Sequence, residues 1–165
     1  MIVTIRRSNV TEWATVTVHG SASGFAQDIS VGRHRLAGDE PLAVGGTDTG
    51  PNPYDLLLAA LGSCTSMTVA MYARRKQWPL EAVTVRLRHS KIHAADCEDC
   101  ETRVGRLDQI DCEVEFSGVL SEEQHRQLLE IAHKCPVHRT LTSEIRIQIG
   151  PTRHQDGPLG QSTKD

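Results

Sequence analysis

The sequence predicts a single α+β domain over residues 1–150, on three observations. Short β-like runs follow one another in the first third of the chain, instead of alternating one for one with helices. A long stretch without charges, Leu56 to Ala73, reads as a helix buried in a core. A second, amphipathic helix is then followed by one more alternating segment near residue 149.

The elements follow in order. Ile2 to Arg7, Trp13 to His19 and Gln27 to Leu36 carry β-branched residues between Ser, Asn and Gly breakers, the pattern of an antiparallel meander. Val44 to Pro53, VGGTDTGPNP, is a loop that ends with Asn52 as helix N-cap and Pro53 in the first helical position. The helix runs to about Lys76, with Arg74, Arg75 and Lys76 at its negative end and Trp78 and Pro79 beyond it. Val83 to Ile92 alternates as a strand, with Val83, Val85 and Leu87 on one face. Ala94 to Thr102 is an acidic loop or hairpin end. The next strand puts Ile110, Cys112, Val114 and Phe116 on one face. Ser121 and Gln124 form a capping box for a second helix, whose apolar face holds Leu128, Leu129, Ile131 and Ala132. Pro136 disfavours helical geometry at Cys135, at that helix's end. Glu144 to Ile149 is a final strand, and residues 151–165 form a polar tail expected to be disordered.

Composition narrows the function. The 165 residues are 38% hydrophobic, 24% charged and 4% aromatic, as in an ordinary soluble globular protein. A formal net charge of −3 lacks the basic footprint of a nucleic-acid binder. The start, MIVTIRRSNV, has no apolar core after a basic region, so no export signal is read and a reducing cytoplasm is expected. Leu56 to Ala73 reaches the length of a membrane span, but it contains Gly62, Ser63, Thr65, Ser66 and Thr68 and lies between alternating strands. A core helix is expected, with no membrane contact. Its nearly all-round apolar character needs more cover than one small sheet, which suggests a homodimer.

Five cysteines carry the chemistry. Cys64 lies in LGSCTSM, where small polar neighbours leave room and donors around a thiol on an otherwise apolar helix. The alternative is a small buried hydrophobe. Cys135 lies at a break in the backbone with His138 and Arg139 close by, a setting that suits either a reactive thiol or a structural end residue. Together the two form a candidate peroxidatic and resolving pair if their Cα atoms come within about 7 Å. Cys97 and Cys100 make the C-x-x-C in HAADCEDCE, with His89 and His93 upstream. That segment is either a solvated acidic turn or, with His93, a metal site short of a fourth ligand. Its acidic neighbours disfavour thiolate chemistry. Cys112 shares the apolar phase of its strand and is expected to be a buried spectator. No H-E-x-x-H, G-x-S-x-G, P-loop or G-x-G-x-x-G is present.

The segments GPNPYDLLLAALGSCTSMT and KCPVHRTL resemble those of the OsmC/Ohr family, osmotically induced protein C and organic hydroperoxide resistance protein. The likeness runs in element order from about Asp28 to Ile149. It implies an α+β fold in which two chains intertwine, with the long helices back to back and active sites at the interface. It also implies a thiol peroxidase for organic hydroperoxides that needs no cofactor, with Cys64 as peroxidatic and Cys135 as resolving cysteine. An external dithiol, of lipoyl type, would return the pair to thiols. One departure stands out. The family's well-studied branches carry a glutamate directly after N-P, and here that position is Tyr54, with Asp55 next to it on another face. The thiolate-activating arginine has no matched position; Arg33 and Arg35 are the nearest candidates. Without a cation, a thiol in an apolar helix is mostly protonated near neutrality, so low activity is expected. The rival reading is a non-catalytic member of the same fold that binds a small apolar ligand, or a metal through Cys97 and Cys100.

Overall fold

The structure, a computed structural model, describes residues 15–97 and 100–151. The strand expected at Ile2–Arg7, the first residues of the one expected from Trp13, and residues 152–165 of the expected disordered tail lie outside the described residues. In chain order the elements are β1 (Val16–Gly20), β2 (Gln27–Val31), β3 (His34–Gly38), α1 (Pro53–Lys76), β4 (Leu80–His93), β5 (Arg106–Gly118), α2 (Glu122–Ala132) and α3 (Pro136–Leu141). Strands β1, β2 and β3 form one antiparallel sheet and β4 pairs with β5 in a second. The architecture is α+β, as the clustering of strands requires.

The run Gln27–Leu36 is a hairpin and not one strand. Gly32 has φ +56°, a left-handed conformation that reverses the chain between Val31 and His34. The β4–β5 ladder pairs Val83 with Phe116, Val85 with Val114, Leu87 with Cys112 and His89 with Ile110. Directly opposed residues share a sheet face, so this set points together. The set faces α1, since a Cβ built on Gly62 would lie 2.8 Å from Leu87 Cδ1. Only a glycine lets the helix come this close to the sheet.

Helix α1 has the boundaries its sequence predicts. Asn52 and Asp55 close a capping box, with Asp55 N–H donating to Asn52 Oδ1 at 3.0 Å and Asn52 N–H donating to Asp55 Oδ2 at 3.3 Å. Leu61, Thr65, Val69 and Ala73, spaced four apart, make its buried stripe. Val69 and Ala73 meet Leu128 and Ala132 of α2 in the core, where Val69 and Leu128 are wholly buried. Burial of each such side chain contributes about 1.5–3 kcal/mol. The helix is long and apolar enough to cross a membrane by length and composition, and here this stripe packs against its own chain. The opposite side is uncovered: Met67 is 71% and Met71 66% exposed.

The final strand expected over Glu144–Ile149 does not form. A strand needs a partner ladder, and among the described residues this segment pairs with none. Its alternating Ile145, Ile147 and Ile149 are left exposed, Ile149 at 97%.

The loop before α1 is held by Asp39. Its carboxylate is 2% exposed and accepts from the backbone N–H groups of Glu40, Thr47 and Thr49 and from the hydroxyls of Thr47 and Thr49, at 2.6–3.2 Å. These donors, the Thr47 hydroxyl first, hold the carboxyl well below the usual carboxylate range against the opposing effect of burial. A folded-state value below the unfolded one means stability that is present at neutral pH and lost as pH falls through the ordinary carboxylate range. Asp39→Asn is therefore expected to lower the unfolding temperature at pH 7 and to flatten the loss of stability between about pH 5 and pH 2. Thermal denaturation followed by circular dichroism across that range checks this, and equal acid dependence in the two proteins contradicts it.

Candidate active site around Cys64 and Cys135

Cys64 occupies the middle of α1 and is half-buried. Thr68 Oγ1 donates to its carbonyl oxygen at 2.7 Å, and Ser63 Oγ donates to Ala60 O at 3.1 Å, so both hydroxyls bond back onto the helix. Thr65, the next residue, turns inward and is 3% exposed.

Cys135 is wholly buried. Its backbone is extended, φ −65° and ψ 142°, as expected before proline, but it does not simply end α2. It is the N-cap of α3, with Pro136 in the first turn. The VHRTL segment that follows is therefore helical. The Cys135 sulfur accepts two hydrogen bonds, from His138 N–H at 3.2 Å and from Thr65 Oγ1 at 3.4 Å. The second joins residues 70 apart in sequence and seats the Cys135 sulfur on the turn of α1 that carries Cys64.

A cavity of about 760 Å³ adjoins this contact, lined by Leu61 and Thr65 of α1, Ala132 of α2, His138 of α3 and Cys112 of β5, among others. The Nδ1 atom of His138 is buried and, among the described residues, has no hydrogen-bond partner. Cys112 is not the buried spectator its periodicity predicts; it is exposed. Its phase is right, since it faces α1 opposite Leu87, but the space above it is open cavity. The cavity walls still desolvate it, and that effect, followed by the nearby Cys135, raises its thiol above the ordinary value.

The other candidates are placed as follows. Arg33 is exposed in the β2–β3 turn, and Arg35 of β3 donates to the carbonyls of Gly32 and His34, both at 3.0 Å. Among the described residues no hydrogen bond or ion pair joins either arginine to Cys64. The Tyr54 ring stacks on His89 with centroids 4.2 Å apart. His89 in turn bonds Asp108 at 2.8 Å, which lowers the Asp108 pKa. Asp55 is committed to the capping box. Cys97 and Cys100 are joined in a disulfide, so they are not the dithiolate of the expected alternative, a metal site. With Cα atoms 5.5 Å apart, the two cysteines are within bridging range, and the bond leaves no thiolate for a metal.

Two cysteine-bearing helical segments packed beside a two-sheet α+β frame define a class of thiol-bearing domains. The OsmC-like protein family model matches residues 46–150, and the chain belongs to that family. Solved structures with the same fold include an OsmC-like protein from Mycoplasma pneumoniae, 18% identical over 78% of this chain and 86% of that one, with a TM-score of 0.60. An organic hydroperoxide resistance protein OsmC from Legionella pneumophila is 22% identical over 78% and 88%, TM-score 0.57. The organic hydroperoxide resistance protein OhrB of Bacillus subtilis is 22% identical over 78% and 90%, TM-score 0.54. No curated protein matches the chain. At 18–22% identity these likenesses show a shared fold.

The three free thiols differ in access, and alkylation should report it. Timed treatment of the native protein with N-ethylmaleimide, mapped by mass spectrometry, is expected to label Cys112 first and Cys135 last, at least ~10-fold more slowly. Equal labelling of the two contradicts the placement.

Proposed function

We propose that the chain is a thiol-dependent peroxidase that reduces organic hydroperoxides, with Cys64 as nucleophile and Cys135 as resolving thiol. The observation that carries this reading is the 3.4 Å contact between Thr65 Oγ1 and Cys135 Sγ, which puts the second sulfur against the helical turn bearing the first. Family membership and the hydroperoxide-resistance proteins among its structural neighbours support it.

The steps balance with thiols, peroxide and a dithiol. The Cys64 thiolate attacks one peroxide oxygen, a sulfur–oxygen bond forms as the oxygen–oxygen bond breaks, and the alkoxide takes a proton and leaves as alcohol. The Cys135 thiol attacks the resulting sulfenic sulfur, and a disulfide forms as water departs. An external dithiol then reduces the disulfide and is itself oxidised. We place this chemistry in a cytoplasm, which supplies such reductants.

Activation of Cys64 needs a cation, and we assign Arg33 and Arg35 as the candidates, brought by the β2–β3 hairpin of this chain or of a second copy. Tyr54, stacked on His89, offers no carboxylate to hold that arginine, so we expect low activity. We read the active form as a homodimer. The uncovered face of α1 with Met67 and Met71, and the unpaired Ile145, Ile147 and Ile149, are apolar surfaces that a second copy would cover.

After one equivalent of cumene hydroperoxide, mass spectrometry is expected to find a Cys64–Cys135 disulfide in the wild type and a trapped sulfenic acid at Cys64 in Cys135→Ser. Cys64→Ser should lose peroxide turnover by ~10³-fold or more. Unmodified Cys64 and Cys135 thiols in the wild type would overturn the reading. Light scattering on the same samples should give twice the chain mass, and a monomer would remove the dimer.

A further inference from the structure

The hydroxyls around Cys64 divide into two kinds. Ser63 Oγ donates to the carbonyl of Ala60 and Thr68 Oγ1 to that of Cys64, the three- and four-residue back bonds that serine and threonine ordinarily make within a helix. Thr65 departs from that habit. Among the described residues its hydroxyl bonds no helix carbonyl and donates instead to the Cys135 sulfur at 3.4 Å. Thr65 and Cys135 are both buried, so within the chain that hydroxyl has two partners to choose from, the sulfur or its own helix.

The choice depends on the state of the sulfur. A thiol sulfur accepts weakly and a thiolate strongly, because the hydrogen bond is then charge-assisted. A sulfur bonded to a second sulfur carries no charge and attracts the hydroxyl least. The other donor to Cys135, the N–H of His138, is fixed by the α3 turn that this sulfur caps. Thr65 is therefore the donor able to answer a change at the sulfur, by one rotation about its first side-chain bond.

We propose that Thr65 is a positioning residue for Cys135: its hydroxyl holds the reduced sulfur on α1 and weights the Cys64–Cys135 couple toward the two thiols. The proposal rests on the pairing of these cysteines in the peroxidase reading above. When the external dithiol reduces the disulfide, its first thiolate bonds the half-buried Cys64 sulfur, the sulfur–sulfur bond breaks, and Cys135 leaves as thiolate. The Thr65 hydroxyl meets that charge as it appears. The second thiol of the reductant then displaces Cys64, and the reductant departs as a disulfide. The two protons it gave up end on Cys135 and Cys64. Thr65 is neither consumed nor oxidised; while the disulfide stands, its hydroxyl has the carbonyl of Leu61, one turn back, as partner.

Two substitutions separate this role from packing. Thr65→Val keeps the shape of the side chain and removes the donor, whereas Thr65→Ser keeps the donor and removes a methyl group. The Cys64–Cys135 disulfide is made with diamide, which takes two electrons from a thiol pair without peroxide, and is equilibrated against mixtures of reduced and oxidised dithiothreitol, with the linked peptide read by mass spectrometry. In Thr65→Val the disulfide is expected to be about tenfold harder to reduce, about 30 mV for a two-electron couple, and in Thr65→Ser to stay within about twofold of the wild type. A wild-type equilibrium in Thr65→Val, or a shift in Thr65→Ser as large as that in Thr65→Val, would overturn the proposal. So would failure of diamide to join Cys64 to Cys135, whatever peroxide does at Cys64. Cumene hydroperoxide added to the same proteins reads the peroxidase separately. Thiols left unmodified by peroxide, beside an equilibrium that follows the hydroxyl, defeat the peroxidase reading and uphold the role of Thr65. A peroxide-formed disulfide with an equilibrium indifferent to the hydroxyl defeats Thr65 and leaves the peroxidase standing.

Discussion

The packing of one stripe of α1 against the α2–α3 turn is the constraint on which the rest of the molecule depends. Leu61, Thr65, Val69 and Ala73 occupy one side of the helix at four-residue spacing, and their modest size lets α2 and α3 come close. Val69 and Ala73 contribute apolar burial against Leu128 and Ala132. Thr65, two turns before Ala73, meets the Cys135 sulfur instead. The stability of the core and the position of the candidate resolving thiol are thus consequences of the same helix contact. A change that tilts α1 disturbs both.

What sets α1 in place is mostly polar. The Asn52–Asp55 capping box fixes its first turn, and Asp39 gathers five donors to fold the loop that delivers the chain to Asn52. At the far end Gln77 adopts a left-handed conformation, φ 56°, and its N–H bonds back to the last turn. Gly62 then lets Leu87 of β4 lie directly on the helix. A charged loop, two caps and one missing side chain thus position the helix that carries Cys64.

Local rules were legible where one segment contains its own answer. Asn52, Pro53 and the basic last turn give both ends of α1, Ser121 and Gln124 give the start of α2, and alternation gives the shared face of β4 and β5. The proposed pairing of Cys64 with Cys135 comes from the two segments, and the structure adds that Thr65, next to Cys64, donates to the Cys135 sulfur. Failures came where the outcome depends on something outside the segment. Alternation in Glu144–Ile149 specifies a strand, yet a strand needs a neighbour. The phase of Cys112 specifies a sheet face, yet not whether that face is filled; here a cavity sits over it. Gln27–Leu36 has strand composition throughout, and the turn at Gly32 is visible only as one permissive residue. Cys97 and Cys100 have the spacing of either a metal site or a bridge, and the loop's geometry decides between them. The Asp39 cluster had a faint signal in the DEPLAVGGTDT segment, where an aspartate precedes two threonines in a turn-rich loop.

The central claim is that α1 holds Cys64 within bonding distance of Cys135. A crystal structure of the protein after peroxide treatment measures this most directly. The account predicts a continuous sulfur–sulfur bond between these two residues, with their Cα atoms within about 7 Å. Cα atoms well beyond that separation, with both sulfurs still reduced, would contradict it.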